Sequence, residues 1–471
     1  MLKIRDFSNA TSEEIISRTK LVVNRNVTEF VPSYIKINRK DKGDIGNLIQ
    51  EYWYGIKRNS ISEPDFTKEG IELKMVPVVK YKIKNKVNEY RIKERTKITS
   101  INYKTIIHEK WLTSSVKKKI NKILFVFMID DNSDKDDLMI VDFLLYEFDN
   151  RSILDKSVIK SDWERFNSYV LESQVDLISE INFEYLSPST SGNSKLVSLP
   201  FTSIKIKERS FSFKPSYTRT LLNEHRGTIY SSIESLQKLN SFSDLENFLI
   251  KKLSTLNGMT LKDIENKFKI KNRNSLNKYS LIIKDILGLD VDKEVEEFEK
   301  FNIKIRVIRV NPNTFLPHQS ISFSHQTLKS ILEEGSFEES ELSENITKIM
   351  FVVLKSEYTK ADKPELLIFD KVCFWSPSIK EFSNIKKEYN NYKKIIRKGV
   401  VVKKQKYNNK KGFIYTNNLP GMSDTKYIHM RPHGSDNSDL DTSIKNLKIP
   451  KQCFWLNKEF VRDIISNQTN Q

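Results

Sequence analysis

The chain has 471 residues, of which 38% are hydrophobic, which suits two or three ordinary domains. Its 79 Lys and Arg residues exceed its 61 Asp and Glu residues, and the resulting net charge of +18 makes a polyanion the natural partner. Two cysteines, no apolar signal region at the start and no apolar run of about 20 residues predict a cytoplasmic protein and argue against a membrane protein.

Motifs of two other enzyme classes are missing from the sequence. It contains neither a glycine-rich phosphate loop nor a Cys/His zinc spacing, and its six histidines are scattered. The sequence therefore argues against nucleotide hydrolysis and zinc chemistry. Compositional bias toward Lys, Ile and Asn remains an alternative source of the basic charge.

In chain order, the first half alternates helices and strands. An amphipathic helix over 42–56 carries Glu51 and is closed by Gly55. The further predicted elements are a strand near 70–79, a basic strand near 87–101, buried strands at 123–129 and 138–146, a helix at 161–174, a loop at 187–193 and a basic segment at 205–214. This alternation predicts an α/β domain with a mixed sheet flanked by helices.

The strongest chemical signal lies around the first of these strands. Alternate residues of a strand face one side, so Glu72 and Lys74 project together while Leu73 turns into the core. Magnesium takes hard oxygen ligands, which Asp65, Glu72 and the Leu73 carbonyl could supply, and Lys74 would face the attacking water. The same Glu-x-Lys pattern also fits an exposed strand with a weak ion pair.

The second half repeats this order of elements weakly. Residues 281–289 stand where the Glu51 helix stood, 297–306 fall on 65–74, and 349–353 replace 123–127. At the matched positions Lys284 replaces Glu51, Lys304 replaces Glu72, and Arg306 replaces Lys74. Cations cannot ligate magnesium, so we expect this copy not to cut, although it could hold phosphate. The alternative is a pseudo-repeat kept for packing or dimerisation.

Several ordered blocks resemble the MutH-like nucleases, most closely the Sau-type GATC-specific type II restriction endonucleases. The blocks comprise Lys42-Gly43 with Glu51 to Gly55, Pro64-Asp65-Phe66 with Gly70 to Lys74, Trp111 to Val116, Ser161 to Glu164 with Tyr185-Leu186, and Arg209 to Lys214. The resemblance spans nearly the whole chain. It implies two restriction-endonuclease-fold domains in tandem, a catalytic domain at 1–217 and a degenerate effector domain at 241–471, joined by a linker at 218–240.

The resemblance also implies the residues of the site and its cofactor, Mg²⁺. The implied catalytic residues are Glu51, Asp65, Glu72 and Lys74, with Asp65, Glu72 and Leu73 at one or two metal ions. Because the helix has one extra residue before Glu51, Gln50 could instead occupy the expected position. The implied DNA-binding residues are Lys42, Lys119, Ser187, Ser189, Thr190, Arg209, Ser212 and Lys214, and those of the effector domain are Arg431, His433, Trp455 and Lys458.

The implied function is double-strand cleavage of duplex DNA before the G of GATC, stimulated when the effector domain binds a second site. A cognate DNA methyltransferase would complete the restriction-modification system. The chain would be a monomer in solution, with a dimeric or looped arrangement on two-site DNA as a further option. The alternatives are a MutH-like strand-nicking repair endonuclease and a non-catalytic DNA-binding regulator. A structural C-terminal half is the alternative to an effector.

Overall fold

The computed structural model describes residues 5–38, 43–57, 63–81, 89–131, 134–190, 195–268, 278–357, 363–406, 413–433 and 439–467. The predicted DNA contact Lys42 lies outside these residues. The chain forms two compact units. Unit 1 comprises Met1–Tyr230, Glu234–Phe242 and Glu299–Phe301, and unit 2 comprises Ser231–Ile233, Ser243–Phe298 and Asn302–Gln471.

This division differs from the predicted linker at 218–240. Residues 218–225 belong to a helix of unit 1 in which Leu221 and Leu222 are buried. Residues 234–242 also belong to unit 1. The polar composition of this segment reflects the solvent-facing side of packed elements.

The elements of the first half follow in chain order. Its helices are α1 (Ser12–Lys20), α2 (Asp44–Tyr52), α3 (Tyr103–Ile106), α4 (Ser115–Ile120), α5 (Ile153–Leu171) and α6 (Pro215–His225). Its strands are β1 (Ile71–Tyr81), β2 (Glu89–Ile92), β3 (Thr96–Ser100), β4 (Lys122–Ile129), β5 (Ile140–Glu147), β6 (Leu186–Thr190), β7 (Leu196–Ser198), β8 (Lys205–Lys207) and β9 (Arg209–Phe213).

The second half has the following elements. Its helices are α7 (Phe242–Ser254), α8 (Leu261–Lys267), α9 (Lys278–Ile286), α10 (Glu296–Lys300), α11 (Leu328–Glu333), α12 (Glu341–Ile346), α13 (Ile379–Lys398) and α14 (Lys458–Asn467). Its strands are β10 (Lys304–Val310), β11 (Ile321–Gln326), β12 (Ile349–Lys355), β13 (Ile368–Trp375), β14 (Val402–Lys406), β15 (Phe413–Asn417), β16 (Ile428–Pro432), β17 (Leu440–Asp441), β18 (Ile449–Pro450) and β19 (Gln452–Leu456).

The main sheet of unit 1 has the order β2-β1-β4-β5. β1 and β4 are parallel, whereas β2 and β5 run antiparallel to their neighbours. Residues 123–129 of β4 are all buried, because this central strand is covered on both faces. The predicted mixed α/β architecture is confirmed.

A second, smaller sheet of unit 1 has the order β3-β9-β6, with antiparallel pairs. The predicted loop at 187–193 is therefore wrong for residues 187–190, which form most of β6, while 191–194 lie outside the described residues. Ser, Pro and Thr suggest a loop by composition. Pairing with the apolar strand β9 outweighs that local preference.

Unit 2 repeats both sheets. β10 is parallel to β12, β12 is antiparallel to β13, and a smaller antiparallel sheet has the order β11-β19-β16. In the first of these sheets, β10, β12 and β13 correspond to β1, β4 and β5 of unit 1. In the smaller sheet, β11, β19 and β16 correspond to β3, β9 and β6.

The strand registers agree with the matching of positions made from sequence. Glu72 lies opposite Ile123 in unit 1, and Lys304 lies opposite Ile349 in unit 2. Two residues later, Lys74 lies opposite Phe125, and Arg306 lies opposite Phe351. Since 349–353 matches 123–127 in sequence, the same residue pairs face each other in both units.

A carboxylate on the long helix of each unit fixes the start of a strand. Asp162 on α5 accepts hydrogen bonds from the backbone N–H groups of Glu184, Tyr185 and Leu186, at 2.8, 2.8 and 2.9 Å. In unit 2, Glu388 on α13 accepts bonds from the three residues that lead into β16. Among the described residues, no helix has the length and apolar character needed to span a membrane.

We predict that Asp162→Asn lowers the free energy of unfolding by about 1–3 kcal/mol, because an amide cannot replace both acceptor oxygens and leaves buried N–H groups unpaired. Urea unfolding followed by tryptophan fluorescence measures this loss. The matched control is Glu164→Gln on the exposed side of the same helix, with an expected change within about 0.5 kcal/mol. Equal losses in both variants would contradict the role of Asp162.

Candidate active site

Glu72 is the centre of the candidate site. Its side chain is 3% exposed, and it accepts a hydrogen bond of 2.6 Å from the Lys74 ammonium on the same strand. The Lys119 ammonium on α4 donates to both Glu72 oxygens, at 3.0 and 3.1 Å. α4 delivers Lys119 to this point because the helix ends directly before β4, the parallel neighbour of β1. Two cations therefore share one buried carboxylate.

Asp65 lies beside this cluster, in the segment that precedes β1. Its Oδ2 atom accepts a hydrogen bond of 2.9 Å from the backbone N–H of Leu73. Burial raises the pKa of Asp65, and the negative charge of Glu72 raises it further. In a strand, the N–H and C=O groups of one residue point to the same side, so the Leu73 carbonyl also lies toward Asp65.

Helix α2 contributes Gln50 to the site. The Gln50 side-chain amide donates a hydrogen bond of 2.8 Å to Oδ1 of Asp65. Glu51, one residue later, is turned by roughly 100° around the helix axis and therefore faces a different direction. The structure therefore favours Gln50 over Glu51 as the residue that α2 contributes to the active site. In the sequence comparison, Glu51 and the residues that follow it matched the family pattern as one block. The extra residue before Glu51 rotates this block around the helix axis, so that Gln50 faces Asp65.

The position of Gln50 depends on where α2 ends. Gly55 has a φ of 68°, and a Cβ atom there would lie 2.5 Å from the Arg5 carbonyl oxygen. Only glycine fits both the conformation and the space. Leu48 and Ile49 are buried in the core that also contains Leu73 of β1. Their burial sets the rotation of the helix and points Gln50 at Asp65.

Lys97 on β3 is a residue of the site that the sequence did not single out. Partial desolvation lowers its pKa, and the positive charge of Lys74 lowers it further. In the smaller sheet, Lys97 lies opposite Ser212 of β9. It is therefore on the sheet that carries the strands expected to contact DNA. In sequence it was one of several lysines on a basic strand.

The donor set fits a magnesium ion. Magnesium in proteins is typically held by one or two carboxylates while keeping several waters, and Asp65, Glu72 and the Leu73 carbonyl offer such a set. The mutual repulsion that raises the pKa of Asp65 is a charge arrangement that a divalent cation would relieve. In the part of the chain that the structure describes, no three Asp, Glu, His or Cys side chains are arranged so that they alone could hold a metal ion.

The site lies within the segment that matches a known family. The family model of the DNA mismatch repair enzyme MutH matches residues 54–162, which include Asp65, Glu72, Lys74 and Lys119. This segment therefore resembles the nuclease domain of that family. It is 28% identical to the type II restriction enzyme Sau3AI of Staphylococcus aureus, over 96% of this chain and 93% of that protein.

MutH proteins themselves match a smaller share of the chain. The DNA mismatch repair protein MutH of Citrobacter koseri is 26% identical over 40% of this chain and 79% of that protein. The MutH of Vibrio campbellii is 24% identical over 48% of this chain and 92% of that protein. A MutH-sized protein thus corresponds to less than half of this chain, whereas the restriction enzyme corresponds to almost all of it.

Apart from Lys42 and Lys119, the predicted DNA-contact residues of unit 1 lie on the smaller sheet or directly after it. Ser187 and Ser212 are buried, so neither can contact DNA directly in this conformation. Ser189 shares a 2.6 Å hydrogen bond with the Ser212 hydroxyl and is half-buried, Thr190 is exposed, and Arg209 donates to the Pro188 carbonyl at 3.4 Å.

Lys214, at the end of this sheet, donates to the carbonyl of Phe183. This bond ties the strand to the segment before β6. Ser189, Thr190 and Arg209 are therefore the members of the predicted set that are best placed to reach DNA.

The corresponding strand positions in the smaller sheet of unit 2 carry larger side chains. By strand register, Arg431 stands where Ser189 stands in unit 1, and Trp455 stands where Ser212 stands. The Arg431 guanidinium lies 3.9 Å above the Trp455 ring, and the exposed His433 packs edge-on against that ring at 5.2 Å. Stacking holds the arginine in an outward position. Lys458 begins α14 and is half-buried.

Three further side chains of unit 2 are buried or bonded within the protein. His429 is buried, its Nδ1 atom bonds to Asn457, and burial lowers its pKa. At the place of the lost active site, Lys284 donates to the Lys293 carbonyl at 2.7 Å. Arg306 lies 5.7 Å from the Phe323 ring, and burial lowers its pKa.

We predict that Gln50→Ala lowers the rate of DNA cleavage and raises the magnesium concentration needed for half-maximal rate, both by roughly 10–100-fold, because Asp65 loses the group that orients it. Glu51→Ala is the paired variant and should change both quantities much less. A magnesium titration of the cleavage rate measures both. A larger loss in Glu51→Ala than in Gln50→Ala would return the assignment to the glutamate.

Proposed function

We propose that this chain is a type II restriction endonuclease that makes magnesium-dependent double-strand cuts in duplex DNA at 5′-GATC-3′, before the G. The observation that carries the proposal is the buried Glu72 carboxylate, held between Lys74 and Lys119 with Asp65 beside it. The match to a type II restriction enzyme along 96% of the chain supports the restriction class over the repair class. The net charge of +18 suits a DNA substrate.

The chemistry follows from the groups in the site. A bound magnesium ion would polarise the scissile phosphate and stabilise the leaving oxygen. Asp65 and Glu72 would hold it, and Gln50 keeps Asp65 oriented. Lys74, which occupies one Glu72 oxygen in this structure, would then be released to orient or deprotonate the attacking water. Lys119 would be released toward a backbone phosphate.

For unit 2 we propose an effector role: it binds a second copy of the recognition site and stimulates cutting by unit 1. Lys304 at the position of Glu72 replaces a carboxylate that would hold magnesium with a cation that cannot. The outward arginine stacked on Trp455 is suited to bidentate contact with guanine, the most frequent specific contact in the major groove.

We predict that the wild-type chain with magnesium cuts unmethylated plasmid DNA into fragments whose ends begin at GATC, and that EDTA abolishes cutting. Lys74→Ala should lower the rate by about 10²- to 10⁴-fold, because a proton-transfer group is lost. Lys160→Ala on the exposed side of α5 is the control and should cut like wild type. Sequencing of the fragment ends reads the site.

Each outcome of that digestion distinguishes one class of protein. Ends at another sequence would keep the nuclease and discard the GATC specificity. Nicked circles without linear product would favour a strand-nicking repair enzyme. Intact DNA that is nevertheless bound tightly would favour a non-catalytic regulator.

We predict that a plasmid with two sites is cut several-fold faster per site than a plasmid with one, because the second site occupies unit 2. Arg431→Ala should remove this difference and leave the one-site rate unchanged. Arg462→Ala, an exposed arginine of unit 2 that pairs with its neighbour Asp463, is the control and should retain it. Equal wild-type rates on both plasmids would support a structural unit 2.

A further inference from the structure

A β-hairpin of unit 1, residues 195–208, is inserted between the strands β6 and β9. We call it the arm. Its strands β7 and β8 pair with Leu196 opposite Lys207 and Ser198 opposite Lys205. Backbone bonds close both ends, from the Glu208 N–H to the Lys195 carbonyl at 2.7 Å and from the Leu199 N–H to the Ile204 carbonyl at 3.1 Å. The arm is therefore a formed hairpin.

The tip of the arm presents an aromatic ring to solvent. Phe201 is 80% exposed, and its φ is 63°, in the left-handed region that a bulky side chain rarely occupies. Leu199, which begins the turn, is buried and anchors it, and the Thr202 hydroxyl accepts a hydrogen bond from the Ile204 N–H at 2.8 Å. Local contacts thus hold a strained residue outward, an arrangement found at binding sites.

The sides of the arm combine apolar and basic groups. Leu196 is 64% exposed and Ile204 is 45% exposed, so an apolar surface extends from the tip along the hairpin. Lys195, Lys205 and Lys207 are exposed, and within the described residues none of them forms an ion pair. Apolar groups flanked by unneutralised lysines suit a surface that is apolar inside and anionic outside, which describes a DNA groove bordered by phosphates.

Unit 2 has a hairpin at the same place between its strands β16 and β19, with the opposite character. In its paired strands, Asp441, Ile449 and Pro450 are buried. Asp441 accepts hydrogen bonds from the backbone N–H groups of Leu328 and Ser443, at 2.7 and 2.8 Å. That hairpin is packed down on its own unit, so an exposed arm is not a requirement of the fold.

We propose that the arm binds duplex DNA alongside the recognition site, with its lysines on backbone phosphates and Phe201 in apolar contact with sugars and bases in the groove. This inference rests on the proposed function of unit 1. Four residue steps of a strand cover roughly 13 Å, so the arm would reach beyond a four-base site into flanking sequence. It adds affinity that does not depend on the four bases read.

The test compares binding of DNA duplexes of about 30 and about 8 base pairs, each with a central GATC, by fluorescence anisotropy in EDTA. The short duplex keeps only about two base pairs, or roughly 7 Å, on each side of the site, which is too little for the arm to contact fully. Phe201→Asn and Phe201→Gly both tolerate the left-handed backbone, so each removes the ring without adding strain. Both should weaken binding of the long duplex roughly tenfold and leave the short duplex unchanged. Phe201→Leu should retain most of the affinity, as should the control Ile229→Asn, which alters another exposed side chain of unit 1.

The lysines give an independent readout. Changing Lys195, Lys205 and Lys207 together to Gln should reduce the slope of log affinity against log salt by about one unit per lysine on the long duplex. Wild-type affinity in the Phe201 variants, with an unchanged salt slope in the triple variant, would overturn the arm proposal while plasmid cleavage still supports the nuclease. A wild-type chain that neither cuts nor binds GATC duplexes would overturn the proposed function and the arm proposal with it.

Discussion

The parallel pairing of β1 with β4 is the constraint on which the active site depends. It places the start of β1 beside the start of β4, and α4 ends directly before β4, so Lys119 reaches Glu72 from a neighbouring element. Two carboxylates this close and this buried repel each other, which raises the pKa of Asp65. Lys74 and Lys119 offset that repulsion. The lysines expected to act on substrate therefore also make the empty carboxylate pair tolerable, and a divalent cation can take over this role.

The same pairing recurs between β10 and β12, with Lys304 and Arg306 at the matched positions. The fold therefore does not require the Glu72 carboxylate, since the strands pair in the same way with Lys304 in its place. The presence of Glu72 in unit 1 and of Lys304 in unit 2 supports the proposal that unit 1 is the unit that cuts. This comparison within one chain supports the catalytic assignment more strongly than the Glu-x-Lys pattern alone.

The sequence predicted those parts of the structure that depend on local pattern. The buried strand at 123–129, the side-by-side projection of Glu72 and Lys74, and the matching of the two halves all agree with the strand registers. It failed where one residue decides an orientation or where distant strands meet. A shift of one position in α2 exchanges Glu51 for Gln50, pairing with β9 turns an expected loop into β6, and tertiary proximity alone identifies Lys97.

The strands expected to read DNA are held alike in both units but carry different side chains. Asp162 accepts hydrogen bonds from backbone N–H groups at the start of β6, and Glu388 does the same at the start of β16. These bonds do not depend on which side chains the strands carry. At the same strand position, unit 1 has Ser189, whereas unit 2 has Arg431, which stacks on Trp455. A copy kept only for packing has no need of an exposed arginine stacked on an aromatic ring. The shared backbone contact and the outward arginine of unit 2 therefore support the proposal that unit 2 binds DNA as an effector.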